Sequence, residues 1–142
     1  MEALTQEYPS YGNTDLRSPA IQIKLSNGTT VTDFRYESHE IYKGKRNLKG
    51  LPATYVENED EAETIEITLK DKLANLRVIL TYTVFENYDA ITRSCKVIND
   101  SNEEVDILRI LSTSVDFRHS DFDLIQLSGS WARERHIVRL MD

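Results

Sequence analysis

The stretch "SGSWARERH", residues 128–136, gathers the chain's only tryptophan, Trp131, with Arg133, Glu134, Arg135 and His136. An indole face, guanidinium groups, a carboxylate and an imidazole this close together have the residue types for proton transfer, for anion binding or for docking a partner. Strand alternation chooses among these. In an extended chain successive side chains take opposite faces, which puts Trp131, Arg133, Arg135, Ile137 and Arg139 on one face. Ala132, Glu134, His136, Val138 and Leu140 then form the other. A face combining tryptophan with these arginines is too charged for an isolated core. It suits guanidinium–aromatic stacking and bidentate pairing with carboxylates of this domain, another domain or another subunit, and arginine is enriched at interfaces. The spacing predicts a docking strand.

Catalytic alternatives are weaker. A Ser–His–Asp set needs a histidine base, and the chain offers His39, His119 and His136. No Gly-x-Ser-x-Gly elbow accompanies them, and Ser128-Gly129-Ser130 is too short to be one. There is no His-x-His and no Glu-x-x-His on a helix. The acidic run Glu57, Glu59, Asp60, Glu61 and Glu63 lacks calcium-loop spacing and predicts a solvated loop. No metal or cofactor site is expected. Asp15, Asp33, Asp89 and Asp116 are isolated carboxylates, and glycosidase pairs meet in space rather than in sequence. Each lies beside a turn or strand end, where aspartate commonly serves the backbone. In "QEYPSYGNTDLRSP", residues 6–19, Tyr8 and Tyr11 flank Pro9. A stiffened aromatic loop of this kind suits stacking on sugar rings, or it leads into a strand with its tyrosines packed on the fold. The candidate docking set is therefore Tyr8, Tyr11, Trp131, Arg133 and Arg135, with no catalytic residue.

Composition narrows the partners. A net charge of -7 repels phosphate overall and argues against a nucleic-acid binder. The densest basic stretch, "YKGKRNLKG" at 42–50, is expected to cap a strand and solvate a loop. No apolar run approaches the ~20 residues of a membrane-spanning helix. "MEALTQEYPSYG" shows no basic start followed by an apolar stretch, so no secretory signal is visible. A lone cysteine, Cys95, excludes an internal disulfide and suits a reducing, cytoplasmic setting.

The elements that must position these residues read as strands. Asn27-Gly28 joins two runs rich in Ile, Val, Thr, Phe and Tyr, which predicts a hairpin. "TIEITLKD" places Ile65, Ile67 and Leu69 on one side. "NLRVILTYTVFEN" continues with Leu76, Val78, Leu80, Tyr82 and Val84, and Asn87-Tyr88-Asp89 turns it into "AITRSCKVIND". "VDILRILSTSVDF", "FDLIQL" and "WARERHIVRL" follow. About eight strands and no substantial helix predict an all-β fold, an antiparallel β-sandwich or part of one. The chain opens in a coil-like segment and stops directly after an apolar strand, so residues 1–142 are expected to be a single partial domain.

Several long segments carry a resemblance. "TQEYPSYGNTDLRSPAIQI", "TDFRYESHEIYKGK", "GLPATYVENEDEAETIEITL", "LTYTVFENYDAITRS" and "LSGSWARERH" closely resemble the N-terminal β-sandwich domain of family 36 α-galactosidases of the bacterial melibiase type. The likeness runs from about Thr5 to Arg139. It implies one part of a larger glycosidase, in which a β-supersandwich precedes a catalytic (β/α)8 barrel and a C-terminal β-domain. Such enzymes release terminal α-galactose from melibiose and raffinose-type sugars with retention, using two barrel aspartates in motifs such as Lys-Trp-Asp. No Lys-Trp-Asp occurs here, so no catalytic residue carries over. The resemblance implies a supporting role in assembly and active-site shape, with the barrel and further copies of the chain as partners and an α-galactoside as the parent's substrate. The alternative of another class is an independent carbohydrate-binding module using Tyr8, Tyr11 or Trp131.

Overall fold

The computed structural model describes residues 6–12, 17–50, 52–115, 117 and 121–141. Its strands are β1 (Ile21–Lys24), β2 (Arg35–Lys43), β3 (Glu63–Asp71), β4 (Leu76–Phe85), β5 (Ala90–Asn99), β6 (Asp106–Ile110), β7 (Asp123–Ser130) and β8 (Arg133–Met141). The only helical turns among the described residues are 3-10 turns at Glu59–Glu61 and Glu86–Tyr88. All strand ladders are antiparallel: β2-β3-β4-β5 form one sheet, β1-β6 a second and β7-β8 a hairpin. The all-β expectation holds.

The core forms where alternation predicts it. In the four-stranded sheet the rungs Ile67–Leu80–Cys95 and Leu69–Val78–Val97 share one face. That face meets Ile21 and Ile23 of β1, Ala20, and the ring of Tyr8, all buried. Burying each large aliphatic side chain contributes roughly 1.5–3 kcal/mol. The opposite face is mixed, with the polar rungs Glu66–Thr81–Ser94 and Thr64–Thr83–Thr92, and is tightened where Thr64 Oγ1 donates to the Gly44 carbonyl at 2.6 Å and lies 2.8 Å from Thr83 Oγ1.

The Asn27-Gly28 hairpin is corrected. The turn exists, with Gly28 at φ 85 and Leu25 N–H bound to the Thr29 carbonyl at 2.8 Å. The following run does not return along β1, however. β1 pairs with β6, and β2 pairs with β3. Beyond Thr29 the chain crosses to the other sheet, where buried Thr32 and the carboxylate of buried Asp71 hold it. Asp71 accepts from the backbone N–H groups of Asp33, Leu73 and Ala74.

Tyr8 links the first described residues to β6. Its hydroxyl donates to the Leu111 carbonyl across 103 positions of sequence. Burial pushes its phenol well above the ordinary value of 10.0, and the neighbouring Cys95 adds to the rise. Burial likewise raises the Cys95 thiol above 9.0. Groups raised in the folded state stabilise it fully below their unfolded values and lose that contribution as pH climbs. Urea stability is therefore expected to hold to about pH 9 and to fall above it. Tyr8→Phe should cost about 1 kcal/mol at neutral pH, through the lost hydrogen bond. It should also flatten the alkaline fall, as urea midpoints measured across the pH range would show.

Candidate functional site: the β7–β8 arm

The residues 128–136 fold into the end of a hairpin. Trp131 and Ala132 form its two-residue tip, Ala132 in the left-handed region at φ 64. The ladder runs from Asp123↔Met141 through Ser128↔His136 and Ser130↔Arg133. Between the last two pairs lie one residue on β7, Gly129, and two on β8, Glu134 and Arg135. This is a β-bulge, with Arg135 at φ 61. Gly129 makes it feasible, since a Cβ there would stand 2.7 Å from the Arg133 carbonyl oxygen and 3.1 Å from Glu134 Cα.

The bulge corrects the strict alternation. Cross-strand partners share a face, so Arg133, beside Ser130, joins His136, Val138 and Leu140. Ile137 and Arg139 join Ile125 and Leu127 on the other face. Arg133 and Arg135 are separated by the extra residue and do not form one stripe with Ile137 and Arg139. Trp131 is 94% exposed at the tip. Arg139 pairs with Asp123, but among the described residues no carboxylate pairs with Arg133 or Arg135.

Both faces of the arm are apolar and open. Leu124 and Leu140 are exposed on one, and Ile125, Leu127 and Ile137 on the other, at 61%, 67% and 73%. The arm packs mainly on itself. A free two-stranded hairpin is marginally stable in water, so an arm with this surface is built to be covered.

The remaining candidates disperse. Tyr8 is corrected: it is buried against β1 and bound to Leu111, so it offers no face to a sugar or a partner. Tyr11 is about half exposed, with its carbonyl accepting from Thr32 N–H on the β1 side of the fold. The described contacts do not bring it to the arm. His39 Nδ1 lies 2.7 Å from the Tyr36 hydroxyl, and Ser128 Oγ donates to the His136 backbone carbonyl rather than to its ring. Asp33 bonds Arg35, and Asp89 occupies a left-handed turn position. Asp15, Asp116 and His119 lie outside the described residues. Among the described residues no cluster of His, Cys, Asp and Glu forms a metal centre. The basic stretch is paired within the fold: Lys43 with Asp60, Arg46 with Glu40 and Glu66. Arg46 also lies 4.1 Å over the Tyr42 ring, whose phenol is pushed up to about 12 by burial and by its bond to Glu66.

Sequence reasoning missed a second open surface. On the core face of the four-stranded sheet, the two rungs beyond β1's cover are Ile41–Ile65–Tyr82–Arg93 and Lys43–Glu63–Val84–Ile91. Ile41, Val84 and Ile91 are exposed, and a concavity lined by Ile41, Ile65 and Val84 measures about 680 Å³. Asp60, Glu63 and Glu86 line it with Lys43. The charged Lys43, Glu63 and Arg93 in these rungs, against apolar residues in the covered ones, are the signal that could have found it.

Thus the geometry defines a β-sandwich module with open apolar surfaces. The sequence profile of the glycosyl hydrolase family 36 N-terminal domain matches residues 1–141, and the chain belongs to that family. It is 57% identical over 139 residues to alpha-galactosidase AgaA of Geobacillus stearothermophilus, spanning 98% of this chain and 19% of that protein. Alpha-galactosidase 2 of Hypocrea jecorina is 40% identical over 134 residues, 94% of this chain and 18% of its own length. The crystal structure of the GH36 alpha-galactosidase AgaB from G. stearothermophilus superposes with a TM-score of 0.91 at 58% identity, covering 94% of this chain and 18% of that one. The chain thus spans about a fifth of the relatives it matches.

Gly129→Val is expected to break the bulge by driving a side chain into the Arg133 carbonyl. In the full-length polypeptide, amide hydrogen exchange should then accelerate at Leu127 and Ile137 while Val78 and Leu80 stay protected. Unchanged protection in the arm would show that the bulge does not set its register.

Proposed function

We propose that these residues are the non-catalytic N-terminal part of an α-galactosidase that hydrolyses terminal α-D-galactosyl residues of melibiose and raffinose-type sugars with retention. The barrel carboxylates of such an enzyme stand about 5 Å apart. The domain supports assembly and the shape of the active site, and its partners are the catalytic barrel and further copies of the polypeptide. A relative of this domain belongs to a G. stearothermophilus enzyme crystallised with raffinose, which supports the substrate class. We place the protein in the cytoplasm, supported by the half-buried free thiol of Cys95.

The observation that carries the supporting role is the two-faced apolar arm with Trp131 at its tip, beside Arg133 and Arg135, which have no carboxylate partner among the described residues. Such a surface is costly to leave in water and belongs in a contact. The polypeptide that contains this domain together with its downstream barrel should hydrolyse an aryl α-galactoside, and the 142-residue chain should not. Turnover by the chain alone would overturn the assignment. Arg133→Ala with Arg135→Ala should weaken domain or subunit association by roughly tenfold, read by sedimentation. Unchanged association would remove the arginines from the contact.

A further inference from the structure

We infer that Asn27 is a site of spontaneous modification, at which the side-chain amide is lost as ammonia, and that the folded turn holds this reaction back. The chemistry follows from one neighbour. Asn27 precedes Gly28, whereas every other asparagine of the chain precedes a residue with a side chain. A glycine has no Cβ to crowd its own nitrogen, and it leaves the backbone free to fold back on the preceding side chain. The Gly28 nitrogen, its proton taken by hydroxide, then closes on Asn27 Cγ. A ring C–N bond forms, the Cγ–Nδ2 bond breaks, and the leaving nitrogen takes up a proton and departs as ammonia. Water opens the cyclic imide at either carbonyl. Opening at Cγ yields an aspartyl residue, and opening at the main-chain carbonyl yields an isoaspartyl residue whose backbone runs through Cγ. Water is consumed, ammonia is released, and a carboxylate appears at position 27.

The fold opposes each of these moves. Asn27 is exposed, so water and hydroxide reach it. The attacking nitrogen is engaged, however, because Gly28 N–H donates to the Leu25 carbonyl at 2.9 Å. The electrophile is fixed too, since Asn27 Oδ1 accepts from the Thr29 backbone N–H at 3.0 Å. Leu25 N–H closes the turn on the Thr29 carbonyl at 2.8 Å, and the Ser26 hydroxyl donates to the Glu103 carboxylate in the loop before β6. Gly28 must break from Leu25 before its nitrogen can lose a proton and swing towards Cγ. The reaction therefore runs through a local opening of residues 25–29. Its consequence reaches the core. The turn follows directly on β1, whose Ile21 and Ile23 are buried against Val78 and Leu80. An isoaspartyl link lengthens the backbone and spoils the register of the Leu25–Thr29 bond. The new carboxylate also joins Asp71, Asp100 and Glu103 around one concavity, where like charges repel. Each modified molecule thus keeps the turn open, and β1 frays from its Lys24 end.

The test ages the full-length polypeptide carrying this domain at mildly alkaline pH in three states: native, in sub-denaturing urea, and fully unfolded in urea. Modification is read on the tryptic peptide 25–35, by its mass and by enzymatic methyl transfer to isoaspartate. In the unfolded polypeptide Asn27 should be the first asparagine of residues 1–142 to change. In the native protein its rate should be at least roughly tenfold lower. Sub-denaturing urea should raise that rate in parallel with hydrogen exchange of the Gly28 amide. Asn27→Ser should remove the isoaspartyl signal from the peptide. Separated by charge, the modified fraction should exchange its Ile23 amide faster than the unmodified one. Equal rates in the native and unfolded states would overturn the inference. So would a native rate that stays fixed while Gly28 exchange rises, an earlier change at another asparagine of the unfolded chain, or equal exchange at Ile23 in the two fractions.

Discussion

The packing of Ile21 and Ile23 onto Val78 and Leu80 is the constraint on which everything else depends. It fixes which face of the four-stranded sheet turns inward. It draws Tyr8 and Ala20 over that face, and the β1–β6 pair over its middle. Once this is set, the charged and hydroxylated ladder on the reverse side is committed to solvent or to side-chain bonds. The same packing also limits the cover. β1 has only four residues and β6 five, so two strands lie over part of a sheet whose strands reach ten residues. What they do not reach is left open.

Two unfinished surfaces result, and both are apolar: the outer rungs around Val84 and the two sides of the β7–β8 arm. β6 belongs with them, for Ile107 and Ile110 stand opposite Ile23 and Ile21 yet remain exposed at 52% and 40%. A self-sufficient sandwich would have buried these side chains under further strands. The enzyme proposed above has other bodies to bury them. The fold and its family membership therefore give one account: a scaffold whose incomplete layers are its means of attachment.

Much of this was legible in the residues. Alternation in β3 and β4 identified those strands and put Ile67, Leu69, Leu76, Val78 and Leu80 on one face, which is the face that packs in the core. The tryptophan–arginine segment was too charged to read as a core strand, and Trp131 stands exposed at the tip of the arm. Gly129 inside a strand was a readable warning of a bulge, and strict alternation failed where the extra residue at Arg135 entered. Other features were not local. Asn27-Gly28 makes the same turn whether or not its flanking runs pair, so β1's true partner, more than eighty residues away, was hidden. Tyr8 next to a proline looks like an exposed loop aromatic until Leu111 and β1 are placed around it. Alternation within β4 does not tell Val84 from Val78; only the charged Glu63 and Lys43 of its rung do, once the strands are paired.

The central claim is that the arm is a buried element of the assembled enzyme and a bare one in the 142-residue chain. Amide hydrogen exchange across Leu124–Leu140, compared between that chain and the full-length polypeptide, tests it most directly. The account predicts rapid exchange in the short chain and protection deepened by orders of magnitude in the full-length protein, with the amides of Val78 and Leu80 slow in both. Equal, rapid exchange of the arm in both proteins would contradict it.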